Sequence, residues 1–303
     1  MPSFNEVVDH AMRDPELSGL RPVVEKELLH YDILFALDRE GLLENLTFQG
    51  GTSLRLCHRA PRFSEDLDFV GGRNFAPSQL KEIRDCVEAH ISQRYLLDIR
   101  VKNPKEMRED ATYFGVKTDR WQISVITNPG RPDLPQQKIK FEVANVPAYT
   151  SELRSPMRNY NMLPDGYDDI LIGTETLDEI LADKIVSLVA CTTYKRHRDI
   201  WDLQWLSGKG AEVRPELICS KIEDYGIEDY KDLIDQRIDS IRETVASREF
   251  TNEMSRFIAP AARRNTFERP GFTGYLGEKV HGLLTDARQL IYDPRQEPEF
   301  DMG

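Results

Sequence analysis

Apolar positions first fall into a helical rhythm over residues 21–40, at Val23, Val24, Leu28, Tyr31, Leu34, Phe35 and Leu37. That spacing predicts a helix, with Pro22 suited to its first turn and Gly41 to its end. Residues 3–18 read as a short helix or arm. LTF at 46–48 predicts a strand, followed by Gly50–Gly51 and a short helix from Thr52 to about Arg59. In SEDLDFV the rhythm changes to alternation: Leu67, Phe69 and Val70 against Asp66 and Asp68, a half-buried strand with acids on one side. Residues 77–95 return to helical spacing at Leu80, Ile83, Val87 and Ile91. Strands are expected at 96–102, 120–127 and 138–146, with a polar loop at 103–119. In the last strand Lys138, Lys140 and Glu142 share one face, and Ile139, Phe141 and Val143 the other.

The second half has a different pattern. Residues 150–173 hold Pro156, Pro164, Gly166 and Gly173 and read as a connection. Helices are expected at 174–192, 195–206, 214–224, 228–248, 251–264 and 273–292, and the final PRQEPEFDMG as a frayed end. The element order implies an α/β sheet domain over residues 1–150 and a helical region over 151–303. The 303 residues suit roughly two domains.

Composition narrows the function classes. With 40% hydrophobic and 30% charged residues the chain is globular, and its net charge of −12 excludes a generic polycation. A nucleic-acid partner would need a local basic face. Cys57, Cys86, Cys191 and Cys219 are far apart and form no CxxC pair, which suits reduced thiols in a cytoplasm. The first residues lack a basic start followed by an apolar run, so no signal peptide is expected. No run of about 18 apolar residues predicts a membrane span.

Chemistry concentrates in residues 48–70. Side chains two apart on a strand point the same way, about 7 Å apart along it, so Asp66 and Asp68 share a face. Mutual repulsion makes such a pair a site for a divalent cation, and Mg²⁺ combines carboxylates with phosphate oxygens. Gly50 and Gly51 permit close backbone approach, and Thr52 and Ser53 open a helix that presents N–H groups to an anion. Glu142 is the natural third acid on a later strand; a plain Lys–Glu–Lys surface ladder is the other reading. Arg55, Arg59 and Arg62 suit phosphate contacts or a solvated face equally.

A second group lies at Lys184, Lys195, Arg196, Arg198, Asp199 and Asp202. Lys184 beside an apolar stripe reads as a lysine reaching for solvent, or as a phosphate contact. Asp199 and Asp202 lie one turn apart and share a face. They place negative charge at a helix start or orient Lys184. Ser64, two residues before Asp66, is either a turn serine or a phosphorylation site whose added charge would repel a nucleotide.

The stretch GGTSLRLCHRAPRFSEDLDF, followed by KIKFEV and LADKIVSLVACTTYKRHRDIWDL, resembles the AbiEii-type nucleotidyltransferase toxins, including the MenT group, within the DNA polymerase β-like superfamily. The matching motifs span about residues 48–203. The resemblance implies an α+β architecture: a mixed nucleotidyltransferase sheet flanked by helices, and a C-terminal helical domain completing the cleft. It implies an NTP-dependent enzyme using Mg²⁺ or Mn²⁺. The NMP would pass to RNA, above all the tRNA 3′ end, blocking translation, with an antitoxin as partner. By motif, Asp66 and Asp68 become metal ligands, Lys184 a nucleotide contact, and Asp199 an active-site acid with Asp202 beside it. Gly50, Gly51, Thr52 and Ser53 are expected at the nucleotide, Glu142 at the metal, and Arg55, Arg59, Lys195, Arg196 and Arg198 at RNA. The family's turn usually joins glycine directly to serine, and aspartate is commoner at Glu142. Two other functions fit the same residues: transfer to a protein hydroxyl or small molecule, and nucleotide binding without turnover.

Overall fold

The computed structural model describes residues 2–107, 112–113, 116–131 and 133–293. The tail read as frayed, 294–303, lies outside them. In chain order the elements begin with α1 (Phe4–Ala11), α2 (Arg21–Arg39), β1 (Thr47–Gln49), α3 (Gly50–His58), β2 (Leu67–Val70), α4 (Ile83–Tyr95), β3 (Ile99–Lys102) and β4 (Thr112–Tyr113). They continue with β5 (Val116–Val125), β6 (Gln137–Ala144), β7 (Glu152–Arg154), β8 (Ile172–Thr174), α5 (Leu177–Ala190), α6 (His197–Gly208) and α7 (Pro215–Asp224). The last are α8 (Tyr230–Ala246), α9 (Arg248–Met254), α10 (Pro260–Arg264) and α11 (Phe272–Tyr292). By contact density the chain divides into a sheet unit, Met1–Thr176 with Asn252–Arg269, and a helical unit, Leu177–Thr251 with Pro270–Gly303.

The sheet unit is α+β. Its strands run in the order β3-β5-β6-β2-β1-β8-β7, with β4 paired to β5. The pairs β2–β6 and β1–β8 are parallel and the others antiparallel, so the sheet is mixed. Alternation fixes its register. Phe48 stacks on Phe69 at 4.7 Å between ring centroids, Phe69 on Phe141 at 4.9 Å, and Trp121 meets Phe141 edge-on at 5.8 Å. This aromatic ladder crosses β1, β2, β6 and β5 on the apolar face. A slip of one residue would turn Asp68 and Glu142 into that core, which binds the site's geometry to the fold.

Helix α2 is buried nearly all round and takes carboxylates inside with it. Glu27 meets Arg55 at 2.8 Å, and Asp32 meets Arg94 at 3.1 Å and accepts the Tyr167 hydroxyl at 2.6 Å. Each buried charge is thus compensated, as burial in a core demands.

Several elements differ from expectation. Residues 150–173, read as a connection, contribute β7 and the start of β8 to the sheet unit. These strands are three residues each, too short for their alternation to register. The expected loop at 103–119 contains β4 and the start of β5. The helix expected over 77–95 is split: a 3₁₀ turn at Pro77–Leu80, capped by the Gln79 side chain on the Ala76 amide at 2.9 Å, precedes α4. The helix expected over 251–264 breaks into α9 and α10. Phe63 N–H donates to the Phe257 carbonyl at 2.8 Å, Arg62 and Ile258 form a bridge, and Pro260 begins the next helix.

In the helical unit, α8 and α11 are joined by Arg242–Glu278 at 2.7 Å and Arg288–Asp235 at 2.5 Å. Lys221 is fully buried and neutralised by Glu179 at 2.7 Å and Asp183 at 3.0 Å, with Tyr225 donating to Asp183 at 3.2 Å.

Candidate active site

The glycine turn and the acid strand meet at atomic contact. Gly50 opens α3 with φ +75°, the left-handed region where a side chain is strained. A Cβ there would lie 2.9 Å from Asp68 Oδ2, so backbone and neighbour both require glycine. A Cβ on Gly51 would lie 2.5 Å from Arg62 Nη2 and 2.8 Å from Ser64 Oγ. The glycines therefore do different things. Gly50 makes room for the Asp68 carboxylate, while Gly51 lets a buried guanidinium and a buried hydroxyl lie under the helix start. Ser64, read as a turn serine or a phosphorylation site, is 7% exposed.

Thr52 donates its hydroxyl to the Asp66 carbonyl, tying the first turn of α3 to the head of β2. Ser53 Oγ is buried and has no hydrogen-bond partner among the described residues. The two hydroxyls of the Gly-Gly-Thr-Ser turn thus differ, one holding the Asp66 backbone and one enclosed.

The acids occupy one row of the sheet and its margin. Pairing aligns Gln49 with Asp68, Asp68 with Glu142, and Glu142 with Arg120, so these four share a face across β1, β2, β6 and β5. Asp66 sits just before β2. Its Oδ1 accepts the Lys140 amide at 3.1 Å, and Lys140 Nζ lies 3.9 Å from Oδ2. Arg120 Nε donates to Glu142, so the expected third acid is held by a guanidinium rather than standing in a simple lysine ladder. Ligand oxygens of Asp66, Asp68 and Glu142 do not all lie within 4.8 Å of one another. Asp66 and Asp68 remain a partly exposed, all-oxygen donor pair with space opened by Gly50. That chemistry fits a hard divalent cation such as Mg²⁺.

The basic residues separate on inspection. Arg55, expected at RNA, is turned inward: Nε meets Glu27 Oε2 at 2.8 Å, and its guanidinium lies 4.2 Å over the Phe63 ring. Burial opposes its charge, but Glu27 outweighs burial and keeps it protonated. Arg55 thus serves the fold and is removed from the RNA set. Arg62 is buried at 3% exposure. Arg59 is exposed and ends α3 in the left-handed conformation.

Within the helical unit, α5 and α6 assemble the second group. Lys184 Nζ lies 2.6 Å from Asp199 Oδ1 and 3.1 Å from Asp202 Oδ2, all three side chains at most 10% exposed. Arg196 donates to the other Asp199 oxygen and to the Tyr194 hydroxyl at 3.1 Å. Burial would raise the Asp199 pKa, yet Arg196 and Lys184 overcome it and hold the carboxyl well below the usual range. The lysine does not reach for solvent. Lys195 is exposed and Arg198 half-buried.

Arg120 and Lys221 were not singled out by sequence, and Arg62 was read only as a phosphate contact or a solvated face. Only Arg120 left a usable signal, as the polar position between Asp119 and Trp121 on an alternating strand; the others depend on contacts distant in sequence.

A search of curated proteins finds no match. Among solved structures, MenT4, a nucleotidyltransferase toxin from Mycobacterium tuberculosis, aligns over 96% of this chain and 99% of its own, with a TM-score of 0.52 and 17% identity. JHP933 from Helicobacter pylori aligns over 89% and 93%, with a TM-score of 0.48 and 14% identity. No helix among the described residues is long and apolar enough to cross a membrane. The profile of the nucleotidyl transferase AbiEii toxins of type IV toxin–antitoxin systems matches residues 32–272, and the chain belongs to that family of nucleotidyltransferases.

Proposed function

We propose that the enzyme transfers NMP from an NTP to the 3′-hydroxyl of RNA, foremost tRNA, and so blocks translation. The observation that carries this reading is the contact of Gly50 with Asp68, beside Asp66, on a sheet row that also holds Glu142. The 3′ oxygen attacks the α-phosphorus; an O–P bond forms, the α–β anhydride bond breaks, and pyrophosphate leaves. The hydroxyl proton passes to solvent.

Asp66 and Asp68 would hold Mg²⁺ or Mn²⁺, with Glu142 available only when Arg120 shares it. Bound there, a divalent cation neutralises phosphate charge and makes a hydroxyl more acidic. Thr52 fixes the Asp66 backbone, and the α3 amides following Gly50 suit a phosphate. Gly51 and Ser53 set the packing of that turn. In the helical unit, Lys184 is the proposed nucleotide contact, with Asp199 and Asp202 orienting its ammonium. Lys195, Arg196 and Arg198 are the proposed RNA contacts there, with Arg59 another on the sheet unit. A cognate antitoxin follows from the family, and a cytoplasmic location from the substrates.

The test is incubation with total tRNA, Mg²⁺ and each α-labelled NTP in turn. Label should enter RNA, and periodate oxidation of the 3′ diol should prevent it. Label appearing in protein or a small product instead would move the acceptor to another class. Label appearing nowhere would reject transfer.

A further inference from the structure

A groove of about 350 Å³ lies on the polar face of the sheet across β3, β5 and β6. Its construction follows from register. Arg100 pairs with Ser124, which pairs with Lys138; Lys102 pairs with Gln122, which pairs with Lys140. Side chains paired in this way share a face. Each row therefore reads cation, neutral, cation. The cations on β3 and β6 form two walls, two strand spacings or roughly 10 Å apart. The floor on β5 is an amide and a hydroxyl, with Gln122 Nε2 donating to Ser124 Oγ at 3.2 Å.

Charge runs against the chain as a whole. Among the residues lining the groove, Arg100, Lys102 and Lys138 face one acid, Asp98, in a protein of net charge −12. Arg100 and Lys138 are exposed and Lys102 half-buried. Grouping like charges is unfavourable without an anionic partner. Direction adds to this. Along β5 the residue that follows Ser124 and Gln122 on this face is Arg120, which is paired with Glu142 in the Asp68 row. One end of the groove thus lies one row of the sheet from the acids proposed to hold the metal.

We infer that this groove holds the sugar–phosphate backbone of the single-stranded end of the acceptor RNA, just upstream of its reacting 3′-hydroxyl. The inference rests on the RNA-transfer reading above and names a further part of the same substrate. The walls meet phosphates with cations, and the neutral floor offers hydrogen bonds to sugar hydroxyls or base edges. Charge matching here is independent of sequence, so the groove positions an RNA end without selecting it.

The test uses a fluorescein-labelled single-stranded oligoribonucleotide and the full chain, reading anisotropy over a range of KCl concentrations. Replacing the three cations that line the groove, Arg100→Ala with Lys102→Ala and Lys138→Ala, should weaken RNA binding by about tenfold or more at moderate salt. It should also lower the salt slope by about 2, from roughly 0.7 per lost phosphate contact. The KM for NTP should stay the same while the KM for RNA rises. The charge-keeping variant Lys102→Arg with Lys138→Arg should restore RNA binding, and unchanged melting of both variants separates lost contacts from lost fold. Wild-type RNA binding that does not depend on these cations overturns the groove and leaves the transfer reading intact. A raised KM for NTP alone would assign the groove to the nucleotide and overturn it. So would tight binding of polyglutamate with none of RNA, which would point to an acidic protein partner. Cation-dependent RNA binding without any transfer would reject the transfer reading and support the groove.

Discussion

The acid row of the sheet unit and the lysine group of the helical unit use similar residues under opposite conditions. Asp66 is 27% exposed and Glu142 23%. At Gly50 the chain omits a Cβ and accepts a positive φ beside Asp68. In the helical unit, Asp199 and Asp202 are almost wholly buried, and two cations surround Asp199. Acids that a protein leaves accessible, beside a turn kept free of a Cβ, point to an external partner. Charges sealed together satisfy one another first, and can serve a ligand only by sharing what they already hold. The same residue types thus read as a binding edge in one unit and a structural knot with a functional option in the other.

The largest effect should separate the two in activity. Asp66→Ala or Asp68→Ala should lower transfer by about 10³-fold or more, with melting close to wild type because the side chains are partly exposed. Steady-state incorporation of label together with thermal unfolding reads both. A variant that keeps a tenth of its activity would break the distinction from the sheet side.

Asp199→Asn should do the reverse, costing stability first. It leaves buried Lys184 with Asp202 as its remaining carboxylate and takes a charged partner from half-buried Arg196, at a cost of roughly 3 kcal/mol in urea unfolding at neutral pH. The pH dependence has a definite sign. The Asp199 carboxyl is depressed in the folded state, so its contribution is complete above the ordinary carboxylate pKa and disappears as pH falls through and below that range. The wild-type advantage over Asp199→Asn should therefore shrink on acidification. Equal stability of both proteins at pH 7 would remove the knot from the description.

His30 gives a third contrast inside the sheet unit. Burial, opposed by the hydrogen bond with the Glu65 carbonyl, lowers its pKa to about 4. The unfolded chain then binds the proton more readily, so stability is complete above about pH 6.5 and falls between there and pH 4, by roughly 3 kcal/mol. His30→Gln should flatten that part of the stability–pH curve. An unchanged curve would place the acid sensitivity elsewhere.

The smallest effect sharpens the reading of the glycines. Gly50 and Gly72 both have positive φ, +75° and +79°, but a Cβ at Gly72 meets nothing within 4 Å. Gly72→Ala should cost about 1–2 kcal/mol of backbone strain and leave transfer unaffected. Gly50→Ala should cost as much and also displace the Asp68 carboxylate, lowering transfer. Equal activities would reduce the Gly50 turn to plain chain geometry.

What the sequence made legible follows from which interactions are local. Alternation in SEDLDFV and over 138–146 showed two strands with acids and lysines on one face, and their pairing in the fold, as Leu67–Val70 with Phe141–Ala144, is parallel. The shared face of Asp199 and Asp202 allowed either charge at a helix start or contact with Lys184; the fold makes the contact, and the lysine read as reaching for solvent is enclosed. Arg55 shows where this failed. Its place in a basic run suggested solvent or phosphate, and only the fold reveals Glu27, 28 residues away, as its partner. The short strands β7 and β8 were illegible for lack of length. The cationic walls over β5 were illegible because each row draws one residue from each of three separate strands.

The most direct test of the central claim is transfer of α-labelled nucleotide to tRNA by wild type and by Asp68→Ala, measured side by side with Mg²⁺. The expected result is labelled RNA with wild type and none above background with the folded variant. Labelled RNA from Asp68→Ala at the wild-type rate would contradict it, as would unlabelled RNA from wild type with all four nucleotides.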